Sequence, residues 1–132
     1  MPEFITMRPR DEIAVISEGN GAISRDTVKF VAPLTAELPA GSLLDLTTDS
    51  TTGELMALPA MFTPADAGTG SPATVNADAI LLRHAPVGAT HAAALTRYAE
   101  VDANGLIWPS GTDAAGEKSG IAFLASNGII VR

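Results

Sequence analysis

Apolar residues along this chain fall in short runs separated by Gly, Pro, Asn, Asp and Ser, the layout of a β-rich domain with tight turns. Thr27-Val28-Lys29-Phe30-Val31 alternates polar and apolar positions until its end, as a half-buried strand does. Leu38-Pro39-Ala40-Gly41 fits a type I turn, with Pro at the second position and Gly at the fourth. Leu43-Leu44-Asp45-Leu46 reads as a short buried strand. Thr47 to Gly53, rich in Thr, Ser and Asp, closes a hairpin onto Leu55-Met56-Ala57-Leu58, and Pro59 stops that strand. Pro64 to Ala73 is a flexible loop by composition. Ala79 to His84 is a continuous apolar strand, Pro86 to Ala89 turns, and Ala92 to Val101 returns as its partner with Leu95 and Tyr98 as bulk. A helix over Ala92 to Glu100 competes, since Ala, Leu and Arg form helices well, but a hairpin pairs the segment with the strand before it.

The only tryptophan lies in Leu106-Ile107-Trp108-Pro109, just after the turn signal Asp102-Ala103-Asn104-Gly105. Trp carries a large apolar surface, and the following Pro favours extended geometry and removes a ladder donor, so a strand ends here. The expected role is a core anchor where strand meets helix, with most of the ring buried; an aromatic contact at a subunit or ligand interface is the functional alternative. Ser110 or Thr112 can cap a helix whose first turn holds Asp113 and Glu117. Lys118, Ile121, Ala122 and Ala125 share one face of it, while Gly116 and Gly120 each weaken it by roughly 1 kcal/mol relative to Ala. Asn127-Gly128 supplies a left-handed stop before a last strand, Ile129-Ile130-Val131.

The first ten residues mix Phe4 and Ile5 with Pro2, Pro9, Arg8 and Arg10 and show neither period, the mark of a free arm. Glu12 to Ser17 is a β-branched strand ending at the turn-forming run Glu18-Gly19-Asn20-Gly21. It can pair with another chain's edge or with its own domain's sheet. The expected division is an arm with a short strand over residues 1–26 and a β-rich body over residues 27–132.

Composition narrows the function. The 132 residues suffice for one domain with a core, and 46% hydrophobic against 5% aromatic content means a finely divided core of Ala, Leu, Ile and Val. Without cysteine there is no disulfide or thiolate chemistry. No apolar run approaches the roughly 20 residues of a membrane helix, and the N-terminus lacks a signal-peptide core, so a soluble protein used without export is expected. Of the net charge of −7, residues 1–30 carry little: Arg8, Arg10, Arg25 and Lys29 offset all but one of Glu3, Asp11, Glu12, Glu18 and Asp26. The body is therefore acidic, which disfavours nucleic acid, and a nearly neutral arm on it suits docking to a protein surface.

Catalytic chemistry finds no foothold. His84 and His91 are separated by a Pro-Val-Gly turn and match no metal spacing; they read as surface or strand-end residues. The acidic residues sit singly in turns and caps, and no Gly-x-Ser-x-Gly elbow activates a serine. Gly68-Thr69-Gly70 lacks the Lys-Ser/Thr ending of a phosphate loop. No enzyme and no cofactor are expected.

The segment from Ile80-Leu81 through Tyr98, then Leu106-Ile107-Trp108-Pro109, Lys118, Ala122-Phe123 and Ile129-Ile130-Val131, resembles the lambda-type head decoration proteins of tailed bacteriophages. Pro39 to Leu46 and Glu54-Leu55-Met56-Ala57 look like that family's Leu-rich hairpin. The likeness covers about Phe30 to Arg132, with the Trp-Pro corner as its most specific part and the Gly68-Thr69-Gly70 loop as an insertion.

The resemblance implies a loop-rich, mainly β fold of the β-clip type with one short C-terminal helix and an extended N-terminal arm. It also implies a homotrimer on the outer surface of the expanded head, at three-fold and quasi-three-fold positions, with the major capsid protein as partner and assembly in the host cytoplasm. Phe4, Ile5, Arg8, Arg10, Ile13, Val15 and Ile16 are the expected capsid-binding residues of the arm. Tyr98, Leu106, Trp108, Pro109 and Phe123 are expected in the core or the trimer contact. The rival function is a carbohydrate- or receptor-binding module using Tyr98, Trp108 and the long loop; a β-clip hydrolase lacks a candidate site.

Overall fold

A computed structural model describes residues 11–18 and 24–132. Its chain order is β1 (Val15–Glu18), β2 (Arg25–Phe30), β3 (Leu43–Thr48), β4 (Leu55–Pro59), β5 (Phe62–Thr63), β6 (Thr74–Val75), β7 (Ala79–Leu81), β8 (His91–Leu95), β9 (Ala99–Val101), α1 (Ala114–Ser126) and β10 (Ile129–Val131), with a 3-10 turn at Ala103–Gly105. The domain is mainly β with one C-terminal helix, the class expected from the sequence.

Five strands close a barrel in the order β2-β4-β3-β7-β8, with β8 returning to β2. The β3–β4 hairpin forms as read, from Leu44 opposite Pro59 to Thr48 opposite Leu55. Asp49 closes it, its carboxylate accepting from the backbone N–H of Thr51 at 2.7 Å. In β2 the alternation holds: Val28 and Phe30 are buried, Thr27 and Lys29 exposed. The adjacent leucines of β3, Leu43 and Leu44, and the unbroken apolar run of β7 have a different cause. Their two faces look into two cores: Leu44, Ala79 and Leu81 fill the barrel, while Leu43 and Ile80 point to a second core shared with Val101, Leu124 and Ile129.

Beside the barrel lies a three-stranded sheet in the order β1-β9-β10, with β1 antiparallel and β10 parallel to β9. Of the two pairings open to the first strand, it pairs within its own chain. It starts later than expected, at Val15, because Glu12 adopts φ 59° in a turn closed by Val15 N–H donating to Glu12 C=O at 3.1 Å.

Several expectations are corrected. Ala92 to Val101 is two strands, not one: Tyr98 takes φ 52°, and the chain leaves the barrel after Leu95 and enters the second sheet at Ala99. The turn before β3 is displaced by one residue, with Ser42 N–H donating to Pro39 C=O at 3.2 Å and Gly41 at φ 92°, the third position of a type II turn. The Pro64 to Ala73 loop is the tip of a small hairpin, flanked by β5 and β6 and bridged between Asp66 and Ser71. Helix α1 is capped by Asp113, which accepts from Gly116 N–H at 2.8 Å, rather than by Ser110 or Thr112; Thr112 instead donates to Pro109 C=O at 2.6 Å. The face shared by Lys118, Ile121, Ala122 and Ala125 is the outer one, and Gly116, Gly120 and Leu124 face inward.

Candidate interaction surfaces

The first surface surrounds the entry of the chain into the body. Ala14 is 2% exposed and belongs to the second core, so β1 is built into the domain from its first residues. Val15 packs partly against that core, whereas Ile13 and Ile16 are 39% and 54% exposed. Asp11 accepts from the backbone N–H of His84 at 3.0 Å, and Glu12 N–H donates to Leu82 C=O at 2.6 Å, tying this segment to the end of β7. The Arg25 guanidinium pairs with Glu18 and Glu12, which raise its pKa above the ordinary arginine value, the Glu18 hydrogen bond first. Phe4, Ile5, Arg8 and Arg10 lie outside the described residues.

The Trp corner stands between barrel and helix. Ile107 N–H donates to Gly41 C=O at 2.9 Å, which fixes the register of the corner against the β3 turn. Leu106 is buried, but Trp108 and Pro109 are half-buried, less than expected for the ring. The Trp108 ring and that of Phe62 lie over helix glycines. A Cβ on Gly120 would stand 2.5 Å from Trp108 Cζ3, and one on Gly116 would stand 2.6 Å from Phe62 Cε2. The two glycines that weaken α1 locally are the positions where aromatic rings reach its backbone.

A second surface is an open cleft of about 680 Å³ where the barrel end meets the C-terminus of α1, lined among others by Leu46, Leu55, Asp78, Arg97, Tyr98 and Asn127. Tyr98 is 61% exposed, yet its backbone is fixed: its C=O accepts from Ser24 Oγ at 3.1 Å, and its ring covers Gly128, where a Cβ would come within 2.9 Å of Cδ1. Asp26 accepts from Arg97 Nη1 at 2.6 Å and from Thr96 Oγ1 at 2.7 Å. The Arg97 hydrogen bond holds the Asp26 carboxyl below the usual aspartate range, against an opposing effect of burial. Asp78 accepts from Leu46 N–H at 3.0 Å. Burial, and then the neighbouring Asp78, push the Asp45 carboxyl above that range.

The third surface is the outer face of α1, where Ile121, Ala122 and Phe123 are exposed beside Ser119 and Ser126. The signal available was charge: nothing between Ser119 and Val131 is ionisable.

His84 follows β7 and its Nε2 lies 3.0 Å from Glu37 Oε2, while His91 opens β8 and contacts Thr90. Among the described residues no three His, Asp or Glu side chains gather in a group fit to hold a metal, and no helix is long and apolar enough to cross a membrane. What these surfaces offer is contact area: an edge strand, a corner, a cleft and an outer helix face with no ionisable side chain after Lys118.

The family described as Bacteriophage lambda head decoration protein D matches residues 4–129. The chain belongs to this family. No curated protein matches the chain. The head decoration family is one of structural capsid proteins and not of enzymes, which places the chain on the virion capsid in a decorating role. The match begins at residue 4, so the decoration-protein likeness extends well before Phe30, where the residue-by-residue resemblance began. It takes in the segment bearing Phe4, Ile5, Arg8 and Arg10 as well as the Trp-Pro corner and α1.

Proposed function

We propose that this head decoration protein binds the outer surface of the expanded phage head as a homotrimer at three-fold and quasi-three-fold positions and stabilises the shell. The arm, carrying Phe4, Ile5, Arg8 and Arg10 and running into Ile13, Val15 and Ile16, docks on the major capsid protein. The observation that carries this reading is the family match along nearly the whole chain. Its physics is linkage and avidity. A protein that binds only the expanded lattice stabilises that lattice by mass action, and three arms on one trimer turn weak single contacts into firm attachment where the spacing of capsid sites matches. Exposed Ile13 and Ile16 give the docking segment apolar area, and the near-zero net charge of the arm keeps its repulsion from another acidic surface small.

A truncation tests it, and the structure sets where the truncation stops. Removing the first 17 residues would also strip most of β1 and the buried Ala14, so the informative variant lacks residues 2–10. The full chain is expected to cosediment with expanded heads and not with unexpanded ones, and the truncated chain with neither, while keeping its circular dichroism and size. Undiminished binding by the truncated chain would remove the arm from the contact. Failure of the full chain to bind expanded heads would remove the reading itself. A carbohydrate- or receptor-binding role has Tyr98 to work with rather than Trp108, whose ring packs on Gly120.

A further inference from the structure

We infer that Arg25 is a positioning residue for the capsid contact: it brackets Glu12 and Glu18 and so holds Ile13 and Ile16 outward on a preformed root from which the arm leaves the body. This rests on the docking role proposed above for the arm and names the device that presents it.

The backbone of this root departs from regular geometry twice over residues 12–16. Glu12 takes φ 59°, and among the described residues Tyr98 is the one other non-glycine with positive φ. Left-handed geometry is unfavourable for a residue with a Cβ and persists only where its surroundings enforce it. Between Val15 and Ser17 the ladder advances by two residues in β1 against one in β9, which leaves Ile16 as the extra residue of a bulge. Bulges re-aim side chains. The side chains set by these two departures are Ile13 and Ile16, and both are exposed. Folding alone favours neither the irregular backbone nor the exposed isoleucines, and departures from local rules that converge on one place mark a working surface.

The root is held from two sides. On the inner side Ala14 C=O accepts from Asp102 N–H at 2.7 Å, and Glu12 N–H donates to Leu82 C=O at 2.6 Å. A Cβ on Gly105 would stand 2.7 Å from Ala14 Cα, so the two backbones are in contact and the root cannot sink inward. On the outer side stands Arg25. Its Nε donates to both carboxylate oxygens of Glu18, at 2.9 and 3.0 Å, and its Nη2 pairs with Glu12. One guanidinium thus joins the left-handed residue to the far end of β1.

Arg25 is placed to brace without moving. It opens β2, opposite Leu95 in the barrel, and follows Ser24, which is fully buried and donates to Tyr98 C=O at 3.1 Å. The guanidinium is therefore carried by the barrel and not by the sheet that it braces. A planar group with donors on several sides can fix two carboxylates at once, whereas a lysine is a point charge. All three side chains are partly exposed, so the bracket contributes only modestly to global stability. Its larger effect is to remove freedom from a surface that would otherwise lose that freedom on binding, which raises affinity without a new contact.

Cosedimentation titrations with expanded heads test the inference, beside circular dichroism and amide hydrogen exchange of the free chain by NMR. Arg25→Ala should stay folded but bind expanded heads about tenfold more weakly, the scale of two partly shielded ion pairs. In the free variant the amides of Glu12 and Val15 should exchange about tenfold faster, with those of the barrel strands unchanged. Glu12→Gln keeps the side chain's size and drops its charge; it should move both readouts the same way to a smaller extent, and it carries the test if Arg25→Ala fails to fold. Ile13→Ser with Ile16→Ser should also weaken binding. Adding Arg25→Ala to that pair should change binding by less than about twofold, because Arg25 acts through the two isoleucines. An arginine with a merely structural role would give additive losses. Wild-type binding by Arg25→Ala, additive losses in the triple variant, or unaltered exchange at Glu12 and Val15 would overturn the inference and leave the decoration role standing. A wild type that ignores expanded heads would remove the decoration role itself, and the capsid role of Arg25 with it.

Discussion

Gly120→Ala sets two physical effects against each other with opposite signs. In an open helix interior, Ala in place of Gly stabilises by about 1 kcal/mol. At Gly120 the new methyl would stand 2.5 Å from Trp108 Cζ3 and 3.0 Å from Cη2, with Val75 Cβ at 3.5 Å. Carbon atoms pack best at about 3.5–4.0 Å, so the ring or the helix must retreat by about 1 Å. Overfilling a packed site of this kind costs about 1–3 kcal/mol, and the net expectation is a loss of up to about 2 kcal/mol. Trp108→Leu removes the opposing ring, and in that background Gly120→Ala should gain about 1 kcal/mol, giving a coupling of about 1–3 kcal/mol in the double-mutant cycle. Guanidinium unfolding followed by circular dichroism measures all four proteins. They are compared at one protein concentration, because any self-association would add to stability. A gain of about 1 kcal/mol in both backgrounds would refute the packing argument and return Gly120 to its local propensity.

Gly41→Ala should destabilise more than Gly53→Ala although both have positive φ, 92° and 74°. The first puts a Cβ 2.1 Å from the backbone oxygen of Gly105, the second meets nothing within 4 Å. The expected losses are above about 3 kcal/mol and about 1–2 kcal/mol by thermal or chemical unfolding, and equal losses would count against the close approach of the two turns. Asp26, with its pKa lowered mainly by Arg97, contributes stability present above the unfolded aspartate value of about 3.9 and lost as pH falls through its folded value. Asp26→Asn should therefore cost more at pH 7 than at about pH 3. Asp45, raised first by burial and then by Asp78, has the opposite sign: its favourable contribution is present below about 3.9 and lost as pH rises through the folded value, so Asp45→Asn should gain stability relative to wild type at pH 7 and not at about pH 3. Effects independent of pH at either site would reject that linkage.

How far the fold was legible differs from element to element. The β3–β4 hairpin, the alternation in β2 and the stop at Asn127-Gly128 were plain because their causes lie within a few residues: a side-chain period, a turn, a residue that tolerates positive φ. The break between β8 and β9 was hidden because Tyr98, not a glycine, takes the left-handed conformation. Tertiary bonds hold it there, from Ser24 to its carbonyl and from Arg97 and Thr96 to Asp26. The β1 pairing was open for a similar reason, since nothing in Val15–Glu18 names β9 as its neighbour. The interaction surfaces were legible as residues and not as places: Tyr98 and Phe123 were singled out, but their exposure depends on which way a strand end and a helix turn.

By itself the sequence determined the class of this protein. Short apolar runs with turn residues between them make strands, one capped Ala-rich segment makes a helix, and a nearly charge-free C-terminal stretch on an acidic chain leaves a surface that water does not favour. Only the tertiary structure decided which way α1 faces. Local rules put its larger aliphatic residues inward, but the rings of Phe62 and Trp108 come too close for any side chain, so Gly116 and Gly120 turn in and Ile121 and Phe123 turn out. Propensity weighs about 1 kcal/mol at each glycine, and the packing of two aromatic rings outweighs it.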